Sequence, residues 1–231
     1  TINTIINDNN LTGESNIVGT WSIGSDVITF YRSGHYVHIT TEADENDCGQ
    51  IGYEVGSYAW NESTSSLSFT TTEDSNGCAG LHDEQPLNTS IVHDSIFSAT
   101  GDTLTINENG EIFNATRLES TNNPLVGGYY LEQANFSDDL SMLFTLDNKS
   151  ILLYRNDSIG LPSGISYLYI MRDYSYDSQA SMYVVNSQKV YINGNVTSEK
   201  NQEVLRAHIN VQGDVISMTT ANYTSFLKNS Y

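Results

Sequence analysis

The stretch VITFYRSGHYVHIT, from Val27 to Thr40, decides the reading of this chain. Two β-rich segments, 27–31 and 36–40, flank Arg32-Ser33-Gly34, where glycine supplies the backbone freedom of a tight turn. Further β-rich segments recur outward at 53–60, 66–71, 103–106, 142–146, 151–154, 167–172, 181–185, 189–192 and 215–219. Turn clusters such as Asn107-Glu108-Asn109-Gly110, Asp147-Asn148 and Asn193-Gly194 separate them. No stretch carries a long amphipathic helical pattern, and 199–208 is the one candidate for a short helix. Many short strands in a meander must hide their edges, which predicts an all-β chain of antiparallel meander barrels.

The same landmarks occur twice. Asn16-Ile17-Val18-Gly19-Thr20-Trp21 is matched by Asn123-Pro124-Leu125-Val126-Gly127-Gly128-Tyr129, and Val27-Ile28-Thr29-Phe30 by Met142-Leu143-Phe144 ahead of its turn. Gly101-Asp102-Thr103-Leu104 is matched by Gly213-Asp214-Val215-Ile216 in the same order. These pairs predict two barrels in tandem, 16–119 and 123–229, joined near Thr121-Asn122-Asn123-Pro124, with 1–15 as a polar N-terminal tether.

The first unit resembles the lipocalin-like (calycin) family. The resemblance lies in Gly19-Thr20-Trp21 opening a strand, a hairpin through Phe30, Gly34 and Tyr36, Gly56-Ser57-Tyr58 on a later strand, Gly-Asp-x-Leu at 101–104, and Arg117 on the last strand. It implies that Gly19, Trp21 and Arg117 close one end of a small barrel, with the guanidinium over the indole. In the second unit Tyr129 or Tyr130 takes the Trp position and Lys228 lies near that of the Arg. The resemblance also implies binding of a small ligand inside the barrel.

Twenty-eight Asp and Glu against nine Lys and Arg give a formal charge of −19. Such a field repels phosphate backbones and anionic lipid, so nucleic acid is excluded as a partner. No apolar run approaches the length of a membrane-spanning helix. The chain starts at Thr1 without an initiator Met, and the expectation is an exported bacterial protein: extracellular, periplasmic, or held at the outer surface by a lipid anchor upstream of Thr1.

Cys48 and Cys78 lie in polar, Gly-containing loops, NDCGQ and SNGCAG, which predicts a disulfide; zinc would demand closer Cys or His partners. No cofactor is expected apart from a candidate structural calcium. Asp74 and Asn76 begin a calcium-type loop, and Asp44 and Asp47 supply a second acidic group that the disulfide would bring near; the simpler reading is two solvated acidic loops. None of the five histidines has a recognisable catalytic context, and His35 and His38, three apart on a strand, face opposite ways. A catalytic role is therefore not expected.

Aromatic residues supply the ligand-binding candidates: Tyr53, Tyr58 and Trp60 in the first unit, and Tyr167, Tyr169, Tyr174 and Tyr176 in the second. The alternative for each is ordinary core or cross-strand packing. The expected function is a non-enzymatic, exported binding protein that holds a small apolar or amphipathic ligand in a barrel. The alternative is a surface interaction or adhesion module recognising a protein or glycan.

Overall fold

The computed structural model describes residues 17–24, 26–43, 48–82, 86–92, 96–100, 102–108, 110–118, 123–131, 140–145, 147–155, 161–165, 167–212, 215–220 and 224–229. Every regular element among them is a strand, and all pairings are antiparallel, as the turn-punctuated sequence predicts. The proposed tether, and Asp44 and Asp47, lie outside the described residues.

The first sheet comprises β1 (Gly19–Ile23), β2 (Asp26–Phe30), β3 (His35–Thr40), β4 (Gly52–Asn61), β5 (Ser66–Asp74), β6 (Ser90–Val92), β7 (Ile96–Thr100), β8 (Thr103–Glu108) and β9 (Glu111–Arg117). Each strand pairs with its sequence neighbour except β6 with β7, and β1 pairs with β9. Pairing first strand with last curls the meander into a barrel whose hydrogen-bonded ring stays open between β6 and β7.

The second sheet comprises β10 (Gly127–Leu131), β11 (Leu140–Phe144), β12 (Lys149–Arg155), β13 (Tyr167–Asp177), β14 (Met182–Ile192), β15 (Asn195–Lys200), β16 (Leu205–Gln212), β17 (Val215–Thr219) and β18 (Thr224–Asn229). Here β10 pairs with β18 and β13 with β14, which closes a ring of eight strands. The long β14 divides its other edge: 182–185 pair with β16, and 188–192 pair with β15.

That division corrects the short helix expected at 199–208. Lys200 pairs with Gln188 and His208 with Met182, so the segment is two strand ends joined by a connection. Both halves of the β14 edge need hydrogen-bond partners, and this tertiary demand overrides a local helical preference.

The described residues form three apolar clusters. Trp21, Phe30, Tyr36, Leu67, Phe69 and Leu104 belong to the first barrel's interior, and Phe144, Ile170, Tyr174, Tyr183, Val185 and Ile216 to the second's. The third cluster joins the barrels: Val37, Ile39, Tyr53 and Val55 pack with Leu143, Ile151, Leu153, Tyr169 and Tyr191. Strands β2, β3 and β12 and the first half of β4 are therefore buried on both faces over most of their length, which is why Val27-Ile28-Thr29-Phe30 and Ile151-Leu152-Leu153-Tyr154 read as continuous runs. In the same seam Arg155, 3% exposed, pairs with Glu73 at 2.9 Å, and the Tyr53 hydroxyl donates to the other Glu73 oxygen at 2.7 Å.

Trp21 on β1 and Arg117 on β9 are register partners in the first barrel. Trp21 is fully buried and its indole N–H donates to the Ile17 carbonyl at 2.8 Å. The Arg117 guanidinium lies 4.1 Å from the indole centre and donates to the Val18 carbonyl at 2.7 Å. Gly19 has φ +134°, a backbone that favours glycine, and a Cβ there would lie 2.3 Å from Arg117 Nη1 and displace the guanidinium. Gly127 repeats this backbone at φ +140°. Register places Tyr129 opposite Asn229 and Tyr130 opposite Lys228, so Tyr129 corresponds to Trp21 and Asn229, rather than Lys228, to Arg117.

Candidate functional site

At the opposite end of the first barrel the chain connects β1 to β2, β3 to β4, β5 to β6 and β8 to β9. Cys48 in the β3–β4 connection and Cys78 in the β5–β6 connection form a disulfide there. The Gln50 amide donates to the Asn76 carbonyl at 2.8 Å, which fastens the two loops a second time. Gly80 and Leu81 are thereby held against a cavity of about 250 Å³, between the loops and β1, β2, β8 and β9. Its wall is mainly apolar and includes Ile28, Phe30, Leu104, Ile106 and Phe113; its polar side chains are Asp26 and His38.

Strand alternation explains how charge enters this interior. Val37 and Ile39 face the seam, so Tyr36 and His38 face the barrel; Tyr53 and Val55 face the seam, so Glu54 points inward. Glu54 is fully buried. Its Oε1 accepts from the Tyr36 hydroxyl in a short hydrogen bond and from Thr71 Oγ1 at 3.3 Å, and its Oε2 accepts from the Leu81 amide at 2.9 Å. Gly80 lets the loop backbone lie over this group: a Cβ there would be 2.0 Å from Glu54 Oε2 and 2.6 Å from His38 Nδ1.

His38, 4% exposed, is held on both ring nitrogens. Nε2 is 3.6 Å from Asp26 Oδ2; Nδ1 is 3.8 Å from Glu54 Oε2 and 3.0 Å from Asn76 Nδ2. Burial works to lower its pKa, but the hydrogen bond to Asp26 and the negative charges of Glu54, Asp26 and Asp74 outweigh burial and raise it. The Asn76 amide serves either state by a half-turn, since Oδ1, buried without a partner as placed, accepts from a protonated ring. Burial, then the Glu54 charge, raises the Tyr36 pKa and keeps its hydroxyl a donor. Burial likewise raises Asp74, against the Asn76 amide and the two histidines.

One atom in the cavity wall stands out. Asp26 Oδ1 is buried and has no hydrogen-bond partner, although Oδ2 of the same carboxyl faces His38. A buried acceptor left unpaired costs roughly 1–3 kcal/mol, and Asn76 Oδ1 beside His38 is a second such atom.

The second barrel supplies an internal control. Gly19 pairs with Phe30 and Gly127 with Phe144; Phe30 pairs with Tyr36 and Phe144 with Ser150. Continuing across, His38 pairs with Glu54 where Leu152 pairs with Ile170. The same architecture is therefore built with an apolar pair where the first barrel holds buried charge. The second interior holds the packed rings of Phe144, Tyr174 and Tyr183, with ring centres 5.2–5.8 Å apart.

The aromatic candidates do not converge on one site. Tyr53, Tyr167 and Tyr169 lie in the seam between barrels. Tyr174 and Tyr176 belong to the second interior, where Asn123 donates to the Tyr174 hydroxyl at 2.7 Å. Tyr58 and Trp60 pack beside the first interior, and Tyr58 donates to the Tyr31 carbonyl at 2.9 Å. Burial pushes Tyr58 and Tyr174 up to about 12. Of the calcium candidates, Asp74 Oδ1 accepts from the Asn76 amide at 3.1 Å, while the Asn76 side chain turns to His38 and donates to Thr40 at 3.2 Å. Among the described residues no group of three or more His, Cys, Asp or Glu side chains has the placement of a metal site.

Asp26, His38, Glu54 and Gly80 were not selected by the sequence reading. Their signal is an ionisable residue at the core-facing phase of a strand whose repeat counterpart is aliphatic. A wider groove of about 670 Å³ at the seam is lined by Lys149, Arg172 and Lys189, but Lys149 pairs with Glu42 and Asp147, Lys189 with Glu199, and Arg172 donates to Gln188.

No protein-family model matches the chain, and no curated protein matches it. The chain is similar to a solved structure of BamB from Moraxella catarrhalis at 10% identity over 91% of this chain and 71% of that one, with a TM-score of 0.15, too low to carry an argument. No helix among the described residues is long and apolar enough to cross a membrane. Fold and site thus define a tandem pair of antiparallel β-barrels, the first with an apolar cavity beside buried charge.

Proposed function

We propose that the first barrel is a non-enzymatic binding module for a small amphipathic molecule, and that the second is a filled companion bracing it through the seam. The observation that carries this reading is the cavity of about 250 Å³, apolar along its walls and polar only at Asp26 and His38. The Leu152–Ile170 pair of the second barrel supports it, because the fold itself makes no demand for charge at that depth. The Trp21–Arg117 closure supports a lipocalin-like assignment, in which one barrel end is sealed and the other admits ligand. The Cys48–Cys78 disulfide supports an extracellular or periplasmic location.

Titration with the fluorescent probe 1-aminonaphthalene, neutral at pH 7 and of fused-pair size, tests the reading. Saturable one-to-one binding is expected, lost in Ala115→Phe, which fills the cavity from its wall. Absence of saturable binding, or equal binding by wild type and Ala115→Phe, would overturn it.

A further inference from the structure

We infer that the molecule held in the first barrel is uncharged, a neutral compound of one substituted ring or a fused pair that lies along Phe30, Leu104 and Phe113, and that the ionic cluster beside it serves the loop over the cavity instead of the ligand. The inference rests on the cavity being a binding site and adds the charge class of what enters it.

An ion that leaves water for a buried site must meet a counter-charge there to offset its lost hydration. The charges at this end of the barrel are already committed to one another. Asp26 faces His38 through Oδ2, and its Oδ1 is buried. Glu54 is committed on both oxygens, to Tyr36 and Thr71 on one side and the Leu81 amide on the other. His38 stands between Asp26 and Glu54, with the Asn76 amide on Nδ1. Asp74 accepts from the Asn76 backbone amide at 3.1 Å and is offset by His82 and His38. Carboxyl groups and imidazoles thus alternate. An ammonium entering the cavity would find these carboxylates shared with an imidazole or a hydrogen-bond donor, and a carboxylate would meet Asp26 and Glu54 on either side of His38. A neutral molecule disturbs none of these pairs.

The hydrogen bonds of the cluster run to the loop over the cavity. The Leu81 amide donates to Glu54, the Asn76 side chain reaches His38, and Gly80 lies so near that a Cβ would be 2.0 Å from Glu54 Oε2 and 2.6 Å from His38 Nδ1. Charge beside an apolar cavity is thereby accounted for without a charged ligand, because it seats the loop that the Cys48–Cys78 bond fastens. Volume bounds the body of the molecule. An apolar cavity of ~150 Å³ accommodates benzene. The present one, about 250 Å³, suits one substituted ring or a fused pair.

The test is displacement of bound 1-aminonaphthalene from the wild-type protein at neutral pH by 2-naphthalenemethanol, 2-naphthylmethylamine and 2-naphthoate. The three share one ring system and carry no charge, a positive charge and a negative charge. The alcohol should displace the probe at least about tenfold more effectively than either ion. The amine is the sharper comparison, because the chain's charge of −19 draws cations toward the protein and works against the expected order. An amine or a carboxylate that competes as well as the alcohol overturns the neutral assignment and leaves the binding module standing; this arm needs no variant. Failure of the probe itself to bind overturns both readings.

Discussion

His38 and Leu152 occupy the same register position in the two barrels, one facing Glu54 across its strand pair and the other facing Ile170. One fold thus carries a buried ionic cluster and an aliphatic pair at a single depth, and stability alone favours the aliphatic version. The cluster stands beside the cavity of the first barrel. Four expectations follow from this arrangement and the contacts around it.

Glu54→Ile should cost about 3–5 kcal/mol, because it removes the acceptor of Tyr36 and the Leu81 amide and leaves His38 short of a partner. The double variant with His38→Leu, which copies the second barrel, should cost less than the sum of the single changes by at least ~1 kcal/mol. Urea unfolding of the four proteins measures the coupling, and strict additivity would show that the two side chains act independently.

Stability should depend on pH through His38. Its folded-state pKa is raised above the ordinary value of 6.5, so folding favours the protonated ring. The resulting stabilisation is fully present below that ordinary value and is lost as pH rises through the higher folded-state value. The difference in melting temperature between wild type and His38→Gln should therefore shrink from about pH 6 to about pH 9. A difference that grows over this interval would contradict the assignment.

Gly19→Ala should destabilise by about 1–3 kcal/mol, since a Cβ meets Arg117 Nη1 at 2.3 Å on a backbone with φ +134°. Gly24→Ala, where nothing lies within 4 Å of the added Cβ and only the left-handed backbone at φ +55° is penalised, should cost at least ~1 kcal/mol less than Gly19→Ala. Equal losses measured by thermal unfolding would remove Arg117 from the account.

Reducing Cys48–Cys78, a bond spanning 30 residues, should lower stability by ~3 kcal/mol in the chain-entropy description. It should also weaken probe binding, because the same loops hold Gly80 and Leu81 at the cavity. Loss of stability with unchanged binding would separate the staple from the site.

The fold was legible in the sequence where backbone demands leave a local mark. Gly34 at φ +80° turns the hairpin read from Arg32-Ser33-Gly34, and Gly19 and Gly127 share one unusual backbone, which is why the repeat was visible. Strand β15 was missed because all six of its residues are exposed, which erases the alternation that marks a half-buried strand. The run at 199–208 misled because its pairing partner lies elsewhere in the chain. The site escaped for a related reason. Asp26, His38, Glu54 and Asn76 come from three strands and a loop, and only register and the Cys48–Cys78 staple bring them together. Aromatic residues drew attention instead, yet Tyr53 and Tyr169 serve the seam, a surface created by the second barrel.

The cavity of the first barrel is most directly tested by diffraction from crystals soaked in iodobenzene. The account predicts an anomalous iodine peak enclosed by Phe30, Leu104 and Phe113, with none inside the second barrel. A first barrel without iodine, or a peak among Phe144, Tyr174 and Tyr183, would contradict it.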